Sequence, residues 1–249
     1  MTSNPKISII TVVYNGEPTL EATIKSIGKQ SYKNIEYIVI DGFSKDLTVD
    51  IIKKYDEVIT YWISEPDKGI YDAMNKGIDM ATGDYLWFMN SGDEIYDGTT
   101  LEKTVATWPN ADIYYGETVM IDNNGHEIGD RRLKTPVSLN WKSFKKGMLV
   151  SHQSFIVKKS LVGHFNLGYQ FSADFEWCLK AMKKAQNICN TNLVMSKFLD
   201  GGVTKQNIVP GLKERFKIMV QHYGLLSTLY HHIFISLKFF VFLLKHKRF

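Results

Sequence analysis

The chain has 249 residues, 44% of them apolar, which is ordinary for a globular protein and enough to fill a sizeable core. Its formal charge of +4 is spread along the chain, with no basic stripe interleaved with aromatics ahead of the C-terminus, so no nucleic-acid partner is expected. The two cysteines, Cys178 and Cys189, have neither metal spacing nor a disulfide framework, which suits buried thiols in a reducing cytosol, and the short polar run over residues 1–6 predicts no secretory leader.

In chain order, residues 7–13 (ISIITVV) are a short β-branched run that stops at Tyr14-Asn15-Gly16, the pattern of a buried strand. Pro18 suits a first helical turn, and Leu20, Ile24 and Ile27 follow at helical spacing. Residues 35–40 (IEYIVI) predict a second strand ending at Asp41-Gly42. Leu47, Ile51 and Tyr55 predict a second helix, with Asp46 as its N-cap. A weaker third strand is expected over 58–63. Ile70, Ala73, Met74, Gly77, Ile78 and Ala81 share one face of a third helix, capped at its C-terminus by Gly83. Residues 84–89 are the fourth strand. This alternation of strand and helix gives an α/β class with a parallel sheet covered on both faces. Such sheets bind ligands beyond the carboxyl ends of their strands. Those ends are Tyr14-Asn15, Asp41-Gly42, Ser64-Glu65 and Asn90-Ser91-Gly92-Asp93.

Beyond Asp93 the pattern becomes mixed α+β on the same sheet. Asn123-Asn124-Gly125 joins two strands as a hairpin. Residues 149–159 (LVSHQSFIVKK) read as a strand carrying His152 and Gln153. Residues 172–185 read as a helix with Phe175, Leu179 and Met182 on one face, and residues 192–199 as a last strand running into Asp200-Gly201-Gly202.

The first strand leads into VVYNGEPT rather than G-x-G-x-x-G, and no G-x-x-x-x-G-K-[ST] loop, serine nucleophile elbow or H-E-x-x-H is present. What remains is aspartates at strand ends without a glycine cradle. A divalent cation on a carboxylate neutralises a diphosphate there, taking its other ligands from phosphate oxygens and water. Asp93, just past a buried strand, is the candidate ligand; the competing reading is an Asx-type turn of Asn90 and Asp93 around Gly92.

Four blocks carry a resemblance: residues 7–27 (ISIITVVYNGEPTLEATIKSI), 35–48 (IEYIVIDGFSKDLT), 75–94 (NKGIDMATGDYLWFMNSGDE) and 172–177 (SADFEW). In that order they resemble the family 2 glycosyltransferases, and more closely the bacterial enzymes of O-antigen, capsule and colanic-acid-type exopolysaccharide synthesis. The resemblance implies a GT-A type fold, a Rossmann-like mixed sheet flanked by helices, over residues 1–210, with a nucleotide-binding half at about 1–95 and an acceptor half at about 96–210. It also implies a nucleotide-sugar donor, usually a UDP-sugar, a divalent metal (Mn2+ or Mg2+), inversion at the anomeric carbon and a polyprenyl-diphosphate-linked saccharide acceptor.

Carried over residue by residue, the resemblance puts Thr11, Tyr14 and Asn15 at the nucleoside and Asp41 on the base edge. Gly42 stands where many members have a second aspartate. Gly69 and Asn75 match the glycine and asparagine before the fourth strand. Met74 replaces the arginine that often precedes that asparagine, leaving Lys68 to contact the diphosphate. The family's D-x-D reads Ser91-Gly92-Asp93, preceded by Asn90, so metal binding rests on one carboxylate. Asp174 matches the general base, with Glu176 as second choice; a carboxylate at a helix N-terminus stays ionised because the dipole favours its charge. The competing reading is an N-cap formed by Asp174 or Ser172. His152 and Gln153 fall in the region that faces the acceptor. Gly201-Gly202-Val203-Thr204 either closes over the diphosphate through backbone N–H groups or is a plain turn.

In the tail, residues 211–249, Leu226, Leu229, Tyr230, Ile233, Phe234, Leu237, Val241 and Leu244 share a helical face, followed by Lys245-His246-Lys247-Arg248. His231, His232 and Lys238 interrupt the run of about 20 apolar residues that a spanning helix needs. An amphipathic helix on the inner face of the cytoplasmic membrane is therefore expected. A helix on the protein's own core and a homodimer contact are the alternatives. Three functions compete: an inverting hexosyl- or N-acetylhexosaminyltransferase, a non-catalytic nucleotide-sugar or glycan-binding protein on the same fold, and a membrane-associated scaffold. The presence of both Asp93 and Asp174 favours the first, because a scaffold needs neither carboxylate.

Overall fold

Strand β1, Ile7–Val13, is buried along its whole length inside a mixed sheet. The computed structural model describes residues 4–201 and 207–246, with backbone alone at 236 and 238–246. β1 pairs in parallel with β2, Ile35–Asp41, and with β4, Tyr85–Phe88, while β3, Tyr61–Ser64, extends the sheet beyond β2. Helices α1 (Leu20–Gly28), α2 (Thr48–Lys54) and α3 (Ile70–Met80) connect these strands. Along β1, Ile10 and Val12 pack into one core with α3, and Ile9 and Val13 into the other with α1. Burial on both faces is why the strand reads as an unbroken apolar run.

After β4 come β5 (Glu94–Ile95), α4 (Thr100–Thr107), the hairpin strands β6 (Ile113–Ile121) and β7 (Glu127–Asp130), β8 (Phe155–Lys158), α5 (Ala173–Lys184) and β9 (Ile188–Leu199). Among the described residues one nine-stranded sheet runs β3-β2-β1-β4-β8-β6-β9-β5, with β7 on β6. β8 is antiparallel to both β4 and β6, and β9 is parallel to β6, so the part of the chain beyond Asp93 joins the same sheet. Helices α6 (Ile208–Tyr223) and α7 (Leu225–His246) follow, separated by Gly224 at φ 82°. Ile218 and Met219 of α6 are buried in the core that α3 and α5 share, so the expected boundary at residue 210 falls inside a packed helix.

Two local expectations are corrected. His152 and Gln153 lie on a 3-10 turn, His152–Ser154, and not on a strand. The Ser154 N–H closes on Ser151 O at 3.0 Å, and Gln153 O accepts the Trp87 indole N–H at 2.8 Å, so the ladder starts only at Phe155. Gly83 is not a left-handed cap: α3 leaves through Ala81 in an extended conformation. Glycine is required at 83 by close approach, since a β-carbon there would lie 2.8 Å from Lys6 O and Ser8 N. Gly83→Ala is expected to destabilise the fold by about 1–3 kcal/mol, because backbone cannot step aside as a side chain does. An unchanged denaturant midpoint would contradict this packing.

Candidate active site

The carboxyl ends of β1 and β4 and the N-terminus of α3 enclose a cleft of about 590 Å³. Pairing between the two strands continues past their ends: Met89 N–H donates to Ile10 O at 2.9 Å and Ser91 N–H to Val12 O at 3.2 Å. Tyr14, Asn15, Lys68, Gly69, Asn90 and Ser91, six residues expected at the nucleotide, all line this cleft. Tyr14 is 64% exposed and offers a ring face on which a base can stack. Asn15 sits at φ 50°, a left-handed conformation that asparagine tolerates. Its Oδ1 accepts the Lys45 N–H at 2.9 Å, and its own N–H donates to Ser44 Oγ at 2.7 Å. These bonds fix the loop after β1 against the loop after β2; there Asp46 is not the expected N-cap of α2, a position held by Leu47, but accepts the Thr48 N–H at 3.1 Å and the Glu17 N–H at 3.0 Å.

Three expected binding residues are held by the fold and do not face the cleft. Thr11 is fully buried; its hydroxyl donates to Met89 O at 2.7 Å and accepts the Tyr37 O–H at 3.1 Å. Asp41, also fully buried, accepts the Ser64 O–H at 2.6 Å and the Ser44 N–H at 3.1 Å. Asn75 clamps Phe165 with both ends of its amide, accepting its N–H at 2.7 Å and donating to its O at 3.0 Å. A β-carbon at position 42 would lie 2.4 Å from Asp67 Oδ2, so a second aspartate there would require the Asp67 side chain to swing aside.

The 3-10 turn brings the two halves of the site together. On a strand, His152 and Gln153 would point to opposite faces; on the turn both reach the tip of β4. His152 Nε2 faces Asn90 Nδ2 at 3.3 Å, and His152 Nδ1 lies 3.3 Å from Asp174 Oδ2. Asp174 Oδ1 accepts the Tyr71 O–H at 3.1 Å and the Phe175 N–H at 2.9 Å. Asn90, His152, Asp174 and Tyr71 thus form one chain, with Asn90 and Tyr71 also on the cleft wall. Burial alone would raise Asp174. The hydrogen bond and charge of His152, the charge of Arg215 and the Phe175 N–H together outweigh burial and hold the carboxyl below its ordinary range. Ser172 does not cap α5; its hydroxyl donates to Gly211 O at 3.1 Å. Glu176, the second choice for the base, points elsewhere: it is buried against Lys180 at 2.9 Å and His222 at 3.5 Å.

Asp93 is 4% exposed. Its Oδ2 accepts from Gln153 Nε2 at 2.8 Å and its Oδ1 from the Leu199 N–H at 3.1 Å. Burial pushes its pKa up to about 6, partly offset by these two bonds and the charge of His152. The turn around Gly92, at φ 98°, is a backbone turn and not the Asx-type one: Asp93 N–H donates to Asn90 O at 2.9 Å, and the Asn90 side-chain oxygen accepts no hydrogen bond. Among the described residues no group of three or more His, Cys, Asp or Glu side chains could hold a metal ion. The donors here are one carboxylate with lone pairs to spare and Asn90 Oδ1, a buried acceptor without a donor. That set does not make an all-protein cage, and Asp93 is not among the residues that line the cleft; a hard cation held here would take most of its ligands from phosphate and water. Of the loop expected to close over the diphosphate, Gly201 is described at φ 103°, and Gly202, Val203 and Thr204 lie outside the described residues.

Two side chains beside Asp174 were not singled out from the sequence. Tyr71, at the start of α3, stacks its ring on Phe165 at 5.5 Å, and its hydroxyl reaches Asp174. Arg215 acts on Asp174 from α6, forty-one residues further along the chain.

Comparison with known proteins agrees with this geometry. The glycosyl transferase family 2 profile matches residues 8–174. An uncharacterized glycosyltransferase of Mycobacterium tuberculosis is 36% identical over 188 residues, covering 73% of this chain and 70% of the relative. A PGL/p-HBAD biosynthesis glycosyltransferase of Mycobacterium bovis is 28% identical over 217 residues, 82% of this chain and 81% of that one. Among solved structures, S. aureus TarS 1–349 in complex with UDP superimposes with a TM-score of 0.68 at 19% identity; the match covers 86% of this chain and 65% of that one, less than two thirds of its length. The mannosyltransferase PcManGT of Pyrobaculum calidifontis, solved with GDP-Man and Mn2+, gives a TM-score of 0.68 at 16% identity, covering 95% of this chain and 72% of that one. At these identities the structures establish the shared fold, which is the expected GT-A arrangement.

Proposed function

The chain belongs to glycosyl transferase family 2 and is a glycosyltransferase, and from that premise we propose that it inverts the anomeric centre while moving a sugar from a UDP-sugar to a lipid-linked saccharide in bacterial surface polysaccharide synthesis. The observation that carries this reading is the chain Asn90–His152–Asp174–Tyr71, which joins the wall of the nucleotide-sized cleft to an ionised, buried carboxylate. The UDP and UDP-GlcNAc complexes of TarS support UDP as the donor nucleotide.

In this reading the uridine ring stacks on Tyr14, and the diphosphate lies between Lys68 and Ser91 beside Gly69, whose own N–H is taken by Asp67 Oδ1 at 2.8 Å. The acceptor hydroxyl attacks the anomeric carbon from the face opposite the nucleotide, so no covalent enzyme intermediate forms. Asp174 takes the hydroxyl proton; Tyr71 and His152 fix the orientation of its carboxylate. Asp93 is the carboxylate that would hold a divalent cation, which would supply positive charge to the diphosphate leaving group. Asn90 Oδ1, the buried acceptor left open, is the second group that would hold the cation.

The direct test is UDP binding by calorimetry. Lys68 is exposed at the cleft rim, so Lys68→Ala should weaken UDP about three- to fivefold, the effect of one solvated charge. Failure of the wild-type chain to bind UDP or any other nucleoside diphosphate would remove the donor assignment.

A further inference from the structure

Helix α7 faces the opposite way from a helix that serves its own core. It packs on the body through Thr228, which is fully buried, and through Ile235 and His232, whose ring lies 5.0 Å from that of Phe216 on α6. The stripe of Leu226, Leu229, Tyr230, Ile233, Phe234 and Leu237 points outward, with Leu226 83% and Ile233 60% exposed. A contiguous apolar face of this kind marks an interaction site. No helix among the described residues is long and apolar enough to cross a membrane.

The stripe leads into a cavity of about 340 Å³ between α7, α6 and the turn Trp141–Lys146. Tyr230 and Phe234 belong to both, and Phe175, Leu212 and Met219 continue the apolar wall. Arg132, Lys145, Lys146 and Arg215 line the same space with His231 and His232, and no carboxylate does. Arg215 Nε is buried without an acceptor. Burial and the Arg215 charge bring Arg131 down to about 10 and also lower Arg132, although Glu117 and Asp174 act the other way on Arg131. Guanidinium groups gathered at an unfilled buried donor are complementary to an anion. The cavity backs onto the catalytic centre: Phe175 follows Asp174 in the chain, and the Arg215 charge acts on Asp174.

We propose that this cavity holds the phosphate or diphosphate headgroup of the lipid-linked acceptor, whose hydrocarbon runs out along the α7 stripe into a membrane surface. Basic groups meet the headgroup and apolar walls meet the first carbons of the chain, so the sugar end is delivered toward Asp174. The proposal rests on the transferase reading, and the donor cleft can be tested separately from it.

The test titrates farnesyl phosphate, inorganic phosphate and farnesol into the purified full chain with the donor cleft filled by saturating UDP. Farnesyl phosphate should bind about tenfold more tightly than either part alone, because charged hydrogen bonds and apolar walls act together. Arg215→Met should weaken it about tenfold, and Lys146→Ala, at an exposed position that the fold does not need, should weaken it less. Neither should change UDP affinity. Equal binding of farnesyl phosphate and inorganic phosphate overturns the proposal, as does unchanged binding in both variants. A chain that binds farnesyl phosphate but not UDP keeps the cavity and loses the donor reading; one that binds UDP but not farnesyl phosphate does the reverse. Phosphatidylcholine vesicles carrying a long-chain isoprenyl phosphate should recruit the chain more strongly than vesicles of equal charge carrying phosphatidylglycerol. Equal recruitment would assign the cations to general headgroup attraction, and a stable dimer that sheds both vesicle types would assign the stripe to a second copy; either overturns the acceptor site.

Discussion

Asp174→Asn should lower turnover by about 10³-fold, the range of a lost general base, and leave UDP affinity unchanged. The fold tolerates the substitution: the new amide oxygen can still accept the Tyr71 O–H, and the amide N–H₂ can donate to His152 Nδ1 once that ring changes tautomer. Retained activity in this variant would move the base elsewhere, and lost UDP binding would mean that the variant had disturbed the cleft. A pH profile separates chemistry from structure. Asp174 is held below its ordinary range, against burial, chiefly by the hydrogen bond and charge of His152. The wild-type base therefore stays ionised throughout the neutral range and is lost only as pH falls below the ordinary carboxylate range. In His152→Ala that support is gone and burial remains, so the acid limb of kcat/KM should move to higher pH. A purely structural His152 would lower activity without moving the limb.

Asp93→Asn should separate metal binding from stability. Burial raises Asp93 to about 6 from an ordinary value near 3.8. The folded state therefore favours the protonated carboxyl, and the wild type loses stability as pH rises from about 4 through about 6. The asparagine variant carries no such charge. Its Oδ1 can accept the Leu199 N–H, and its Nδ2 can donate to a flipped Gln153, whose Nε2 then donates to Ser151. Above pH 6 the variant should be about 1–3 kcal/mol more stable than the wild type, with the difference vanishing near pH 4. The same variant should lose whatever gain in UDP affinity Mn2+ gives the wild type. Destabilisation at pH 7 would show that the carboxylate is a structural tether, and UDP affinity indifferent to Mn2+ and chelator in both proteins would remove the cation from the account.

The tips of β1 and β4 were legible because strands buried on both faces read as unbroken apolar runs, and such runs end sharply at polar residues. The same pattern misled at His152. Leu149 and Val150 continue the apolar character of β8 backward, so nothing local reveals the turn that the Trp87 indole and Ser151 carbonyl impose. Thr11, Asp41 and Asn75 occupy the expected strand and helix positions, but whether a polar side chain at a strand end faces ligand or backbone depends on neighbours distant in sequence. β5 is two residues long, and α4, TLEKTVAT, is too short and threonine-rich to carry a strong period. Pro210-Gly211 obscures the start of α6, although proline is tolerated in a first helical turn. Tyr71 and Arg215 became visible only when α3, α5 and α6 were packed together.

The most direct test of inversion at the cleft is the configuration of the first sugar released when the purified chain slowly hydrolyses an α-linked UDP-sugar in the presence of Mn2+, followed by proton NMR before mutarotation. Attack from the face opposite the nucleotide predicts the β-anomer, with release lost in Asp174→Asn. Initial release of the α-anomer would contradict single displacement with Asp174 as its base.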